Sequence, residues 1–304
     1  MDVSIVVPAY NAQATMRDCL MALAAQRLPV DWQKEIIVVD DGSSDATARI
    51  CGAFPLTLIQ QKNRGAPAAR NAGIARARGR WIAFTDADCV PSRQWAALLV
   101  DAAERAGPGA MGSAGRTVGY ESASPAARYV DLSGGLDAEK HLASNLFPFA
   151  PTANVLYRRS ALVDVGGFDE RYHCYDATDL HHRLTEHNGG AMPYESRAVV
   201  LHRHRATWAA YWKQQRNYGR GYGQFFIRYE QRLPWTVMRE LAAWGRLAWM
   251  ACGAWGSGDA ALVRRGTLIK HLAQRVGFVE TYYNAHERRK LSGPNQRCVG
   301  GAAT

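Results

Sequence analysis

Two acidic clusters end apolar runs, and their chemistry is that of gripping a hard cation and a diphosphate. Asp40-Asp41-Gly42-Ser43-Ser44-Asp45 closes one run and Thr85-Asp86-Ala87-Asp88 closes another. Two carboxylates one residue apart at a strand end, Asp86 and Asp88, can aim oxygens at one divalent cation and at hydroxyls of a bound group. Mg2+ and Mn2+ favour such ligands, keep several waters and complete their shells with substrate phosphate. The pattern therefore predicts a nucleoside diphosphate held through Mn2+ or Mg2+. A blander reading of the first cluster is a turn and helix N-cap, where Asp, Gly and Ser are favoured; for Asp45 both readings stand.

The elements that must position these acids follow from hydrophobic period. Residues 3–7 form a continuous apolar run, and Met16, Cys19, Leu20, Leu23 and Ala24 recur at helical spacing. The cycle repeats as a strand over 35–40, a helix over 45–51, a strand over 56–59, an Ala-rich helix over 66–78 and a strand over 81–85. Strand and helix in alternation imply right-handed crossovers and a doubly wound, mainly parallel α/β sheet. In such sheets ligands bind beyond the carboxyl ends of the strands, where the acids lie. The first strand is not followed by GxGxxG, which disfavours a dinucleotide fold. Farther on, 96–106 reads as a helix, 111–118 as a strand or loop rich in Gly and Ser, 119–149 as a variable excursion, 152–184 as a second ordered block and 199–202 as a short strand. From Trp208 the chain turns helical and aromatic.

Composition narrows the class. With 304 residues and 47% hydrophobic content the chain can bury a sizeable core, which excludes intrinsic disorder. The net charge of +10 is uneven: 17 of 37 Lys and Arg lie in 201–304 with 5 acids, leaving 20 basic against 22 acidic residues before them. Basicity belongs to the tail, and no nucleic-acid partner is expected. Six cysteines without a CxxC pair argue against zinc ribbons and for a reducing compartment. Residues 3–7 follow Met1 without a basic n-region, and the apolar stretch 241–255 is interrupted by Arg246; neither a signal peptide nor a spanning helix is expected. The expected location is cytoplasmic, with a peripheral position on the inner face of the membrane left open.

Five motifs in order, residues 3–11 (VSIVVPAYN), 35–45 (EIIVVDDGSSD), 63–72 (NRGAPAARNA), 86–88 (DAD) and 166–170 (GGFDE), resemble the signatures of family 2 glycosyltransferases with the GT-A fold. The resemblance covers about residues 3–220. It implies a Rossmann-like GT-A domain over 1–210, a basic, aromatic-rich helical extension over 211–304, and sugar transfer from a nucleotide-diphosphate donor such as a UDP-sugar, usually with inversion. It places Pro8, Tyr10, Asn11 and Asp41 around base and ribose, with Asp41 accepting from the base. Asp86 would face the ribose or the metal's waters, Asp88 would bind the cation, and Arg70 would lie near the phosphates, unless it is merely a surface charge on its helix.

One departure concerns the base. Direct inversion needs a carboxylate that takes the acceptor proton, and the family places it second in a Glu-Asp-x-Asp-Leu motif. Here Asp176 stands at the Glu position and Ala177 at the base position. Either Asp176 takes over, or Asp179 serves from a neighbouring face of the same helix, or the protein binds a donor with weak or no turnover, or the acceptor is already ionised. Downstream, His202 matches a family metal ligand, and His204 shares its face if the strand continues; the bland alternative is a pair of surface histidines. Asn154 resembles a family turn and is assigned a donor or acceptor contact. Gln215, Arg216 and Arg220 are expected at the diphosphate or acceptor. Trp235, Trp244, Trp249 and Trp255 with Arg239, Arg246, Arg264, Arg265 and Lys270 suit an anionic membrane surface, or else pack on the core or a second subunit as a homodimer. The acceptor is expected to be a glycan, lipid-linked or small-molecule hydroxyl, as in building a cell-envelope polysaccharide. A nucleotidylyltransferase is disfavoured because no Gly-rich loop with Lys follows the first strand.

Overall fold

The apolar runs fold as strands of one sheet in a computed structural model. It describes residues 1–144, 147–230, 237–252 and 256–284, the side chains of 188, 237–240 and 252 excepted. In chain order the first half comprises β1 (Val3–Ala9), α1 (Met16–Ala24), β2 (Lys34–Asp40), α2 (Thr47–Cys51), β3 (Thr57–Gln60), α3 (Ala66–Arg76), β4 (Trp81–Phe84), β5 (Cys89–Pro91) and α4 (Trp95–Arg105). There follow β6 (Gly112–Gly119), α5 (Pro125–Leu132), α6 (Ala138–Leu142), β7 (Val155–Arg158), α7 (Arg159–Asp164), α8 (Asp176–Asn188) and β8 (Tyr194–His202). The stretch 111–118, open between strand and loop from sequence, is thus β6. The three-residue β5 and the short β7 carry too little periodicity to be read alone.

Strand order is β3-β2-β1-β4-β7-β6-β8-β5. The half β3-β2-β1-β4 is all parallel, as the strand-helix rhythm predicts. Beyond it β4 meets β7, β7 meets β6 and β5 meets β8 antiparallel, while β6 and β8 run parallel. The sheet is therefore mixed. Apolar layers cover both faces: Val3, Ile5, Val7, Leu20, Leu23, Trp81, Trp95 and Leu99 on one side, Val6, Ile37, Val39, Ile82, Phe84, Tyr157 and Leu180 on the other. At about 1.5–3 kcal/mol for each large apolar side chain withdrawn from water, these layers fix the register that places the acids. Pro8 falls past the last β1–β4 pair, Val6 with Phe84, so its missing N–H costs no ladder bond.

The chain divides into two compact units, one of Met1–Arg171 with Asp176–Thr207, the other of Tyr172–Tyr175 with the chain from Trp208 onward. The second contains α9 (Trp208–Arg228), α10 (Val237–Cys252) and α11 (Gly258–Tyr282). The α9 and α11 backbones meet directly: a Cβ on Gly219 would lie 2.0 Å from the Gln274 carbonyl oxygen, and one on Gly277 2.0 Å from that of Arg216. Phe226, Phe278 and Tyr282 pack their rings beside that crossing. Among the described residues no helix is long and apolar enough to cross a membrane. Trp244 and Trp249 of α10 are exposed in the single chain; Trp235 and Trp255, and the side chain of Arg239, lie outside the described residues.

Candidate functional site

Parallel pairing brings the carboxyl ends of β1, β2 and β4 to one edge. Ala9 pairs with Asp40 at the end of the β1–β2 ladder, and the Asp41 N–H donates to the Ala9 carbonyl at 2.8 Å. On the other flank of β1 the Thr85 N–H reaches the Val6 carbonyl, so the chain leaves β4 straight into Asp86. Between them runs the loop with exposed Tyr10 and Asn11, the latter at φ +48°, where Asn is tolerated better than most residues. Asn11 locks that loop to the next: its N–H donates to Ser43 Oγ at 2.8 Å and its Oδ1 accepts from the Ser44 N–H at 2.9 Å. Asp45 accepts from the Gln13 N–H and the Thr47 N–H, so it acts in the turn entering α2. Buried Asp41 accepts from Gln61 Nε2 at 2.7 Å, the Arg64 N–H at 2.9 Å and the Gly65 N–H at 2.8 Å, bracing the loop into α3. A carboxylate offers about four lone-pair sites, so capacity for one further donor remains.

Arg70 is not a surface charge. It is 6% exposed, and its guanidinium reaches Asp176 at 2.8 Å and Asp86 at 3.3 Å. Two arms of one rigid fork thereby join the end of β4 to the start of α8, 106 residues away from Arg70 in sequence. Burial pushes the Asp176 carboxyl above its ordinary value, against the pull of Arg70, with Asp86 adding to the rise. The residue before it, Tyr175, holds φ +69°, a strained conformation for an aromatic residue, and packs on Tyr222 and Phe225. Asn71, next to Arg70, clamps the GGFDE loop: its Nδ2 donates to the Phe168 carbonyl and its Oδ1 accepts from the Phe168 N–H, each at 2.8 Å.

Asp88 faces His202, with Nε2 and Oδ1 3.5 Å apart. Antiparallel pairing of β5 with β8 sets Cys89 opposite His202, and the Arg203 N–H holds the Asp88 carbonyl at 3.0 Å. Asp88, Cys89 and His202 are the one group among the described residues whose ligand atoms gather within 4.8 Å of one another. Burial pushes the Asp88 carboxyl up, His202 draws it down and Asp86 raises it again; a bound cation would relieve that strain between like charges. Burial also pushes the Cys89 thiol well above its usual range, which leaves it a protonated, poor ligand for a hard ion. One carboxylate oxygen and one imidazole nitrogen, with open positions, form a donor set that fits Mn2+ and, less naturally, Mg2+. His202 and His204 are both inward-facing rather than surface histidines, with side chains 7% and 5% exposed. Burial, with His202 beside it, lowers His204 to about 4.

Two expectations are corrected. Asp179 is 0% exposed and bound at 2.7 Å by Arg183, whose other nitrogens donate to the Val165 and Gly167 carbonyls, so this carboxylate is sealed from any acceptor. Asn154, 1% exposed, donates to the Arg116 and Ala198 carbonyls at 2.9 Å and accepts from Trp95 Nε1 at 2.7 Å. With both amide protons and its oxygen engaged inside the sheet, it ties strands rather than a ligand. Arg216 and Arg220, with side chains 40% and 42% exposed, both reach Glu280 on α11.

The profile for Glycosyl transferase family 2 matches residues 4–166. Among curated proteins, the pre-mycofactocin glycosyltransferase of Mycobacterium tuberculosis is 30% identical over 269 residues, covering 81% of this chain and 54% of that protein. Glycosyltransferase AglE of Haloferax volcanii is 31% identical over 185 residues, covering 59% of each. The chain thus spans little more than half the length of these relatives. Among solved structures, the mannosyltransferase PcManGT of Pyrobaculum calidifontis, in complex with GDP-Man and Mn2+, superposes with a TM-score of 0.64 at 20% identity, covering 93% of this chain and 87% of that one. TarS 1-349 of S. aureus with UDP-GlcNAc gives 0.54 at 16%, covering 93% and 89%. At such identity the likeness establishes a shared GT-A fold.

Proposed function

This chain belongs to glycosyl transferase family 2, and from that premise we propose that it moves a sugar from a nucleotide-diphosphate donor to an acceptor hydroxyl by direct displacement, with inversion at the anomeric carbon. The observation that carries the reading is the row of ionisable groups at one end of the strands: His202 beside Asp88, Asp86 near it, and Arg70 joining Asp86 to Asp176. Tyr10, Asn11 and Pro8 offer a surface for base and ribose, and Asp41 keeps room for one donor from the base. Asp88 and His202 Nε2 would hold Mn2+ or Mg2+. When bound, that ion neutralises charge developing on the departing diphosphate. PcManGT and TarS, solved with GDP-Man and with UDP-GlcNAc, support a nucleotide-sugar donor class.

Asp176 is the base in this reading. A buried carboxylate with a raised proton affinity takes a proton from an alcohol more readily than a solvated one, and Arg70 fixes the direction of its oxygens. The acceptor class is a glycan, a lipid-linked sugar or a small molecule. Exposed Leu241, Trp244 and Trp249 on α10, beside Arg246, support contact of the helical unit with an anionic membrane surface. Buried Ala177, where the family base is expected, favours the second reading, a donor-binding protein with little turnover.

Turnover of UDP- and GDP-sugars with and without Mn2+ separates the two. Asp176→Asn should lower kcat by about 10²–10⁴ while donor still binds, and Asp88→Ala should abolish the response to Mn2+. Full turnover in both variants would show the site to be misassigned; tight donor binding without turnover in the unaltered chain would establish the second reading.

A further inference from the structure

Behind His202 lies a row of polar groups, running from the inward-facing His202 and His204 side chains to half-exposed Asp131, that sugar transfer does not account for. His202 Nδ1 sits 3.1 Å from His204 Nδ1, and His204 Nε2 sits 3.2 Å from Asp131 Oδ1 on α5. Helix α5 is anchored at its start by the Ser124 side chain, which accepts from the Ala127 N–H. Gly119, at the end of β6, admits the Asp131 carboxylate where any Cβ would stand 2.1 Å from its Oδ1.

Proton logic along this row fixes the two facing Nδ1 atoms. An ionised carboxylate only accepts, so Asp131 requires the proton of His204 on Nε2. Nδ1 of His204 is then an acceptor, and the 3.1 Å contact needs a proton from His202 Nδ1. With Nδ1 of His202 so protonated, its Nε2, 3.5 Å from Asp88 Oδ1, either shares a second proton with that carboxylate or, once that proton leaves, presents its electron pair there. In the second state two electron-pair donors face one another, a geometry that a cation completes in place of the proton. In the reverse arrangement a His204 lone pair would point at the Asp131 carboxylate across 3.2 Å.

We propose that Asp131 and His204 are positioning residues: a two-residue relay that sets the tautomer of His202 and so aims its Nε2 electron pair at the cation position beside Asp88. The proposal rests on the cation reading of Asp88 and His202, and extends it to residues whose side chains never touch the ion. Ligating imidazoles depend on such outer partners, whose loss weakens metal binding about 10–100-fold.

Two measurements that do not involve turnover test it. Long-range 1H–15N correlation spectra of the metal-free chain at neutral pH should show His204 protonated at Nε2 and unprotonated at Nδ1; the opposite tautomer overturns the proposal. Mn2+ binding followed by electron paramagnetic resonance should weaken about 10–100-fold in Asp131→Leu and in His204→Phe, less in Asp131→Asn, whose amide oxygen still accepts. Unchanged affinity in Asp131→Leu overturns the relay, and this half-exposed helix position serves where the buried His204→Phe does not fold. Absence of any Mn2+ site in the unaltered chain overturns the cation reading itself, while the His204 tautomer still decides the relay.

Discussion

Replacing Arg70 by Ala asks whether charge holds the site together. The Arg70 and Asp176 side chains are 8% and 11% exposed, so the substitution leaves a buried carboxylate without its cation, at a cost of about 3–5 kcal/mol. Asp86, 29% exposed, is better screened and adds less than about 1 kcal/mol. At roughly 2–4 °C per kcal/mol for a unit of this size, the thermal midpoint should fall by roughly 6–20 °C. The deficit should depend on pH. Burial holds Asp176 above the ordinary carboxylate value while Arg70 draws it down; without Arg70 it rises further. A folded-state value above the unfolded one means the folded chain binds more protons, so stability falls as pH climbs from the unfolded value of about 3.9 through the folded one. The deficit is therefore full at neutral pH and shrinks toward acid. Thermal melts of the unaltered chain, Arg70→Ala and Arg70→Ala/Asp176→Asn across that range test this, because the double variant carries no orphan charge and should regain most of the loss. A deficit constant with pH, and unrelieved in the double variant, refutes the reasoning.

Other outcomes follow from the same structure. Burial depresses His181 to about 4 from an ordinary 6.5, so the unfolded chain takes up this proton first and stability should drop by roughly 3 kcal/mol as pH falls from about 6.5 to about 4. His181→Gln should flatten that slope in urea titrations; an unchanged slope means His181 is not its source. Gly277→Ala should destabilise the helical unit by about 1–3 kcal/mol through the clash at the Arg216 carbonyl, whereas Gly245→Ala on α10, with nothing within 4 Å, should stabilise by up to about 1 kcal/mol. Denaturation midpoints moving in the same direction would contradict this. Flotation with anionic vesicles should be weaker for Trp244→Ala/Trp249→Ala; equal flotation removes the membrane contact.

The parallel half of the sheet was legible because its information is local. Apolar runs over 3–7 and 35–40, each ending in a polar cluster, specify strands with their chemistry at the carboxyl ends, and the structure sets Asp40 beside Ala9 accordingly. The antiparallel half was not, since β5 has three residues and β7 four, and their partners are fixed by tertiary packing. Arg70 illustrates the same limit within the site. Its motif suggested a place near phosphates and its helix left a surface charge open, but neither showed the carboxylates 16 and 106 positions away that hold it inside. His204 lies beyond the last residue of β8, so period-2 reasoning could name it without showing what stands behind it, and Asp131 gave no signal in a stretch read as variable. Asn71 was hidden inside a recognised motif, although an Asn flanking Arg70 opposite a glycine-rich loop is a reasonable clamp to look for.

The saturated amide of Asn154 carries a warning for anyone mapping this family by mutagenesis. From the residue before β7, one side chain serves as a rivet through β6, β8 and the indole of α4. Its replacement would silence the protein while leaving every reacting group chemically intact, and a survey scored on rates alone would enrol Asn154 among the reactants. Architectural keystones and chemical participants look identical in a kinetic table; only a folding measurement made on the same variant tells them apart.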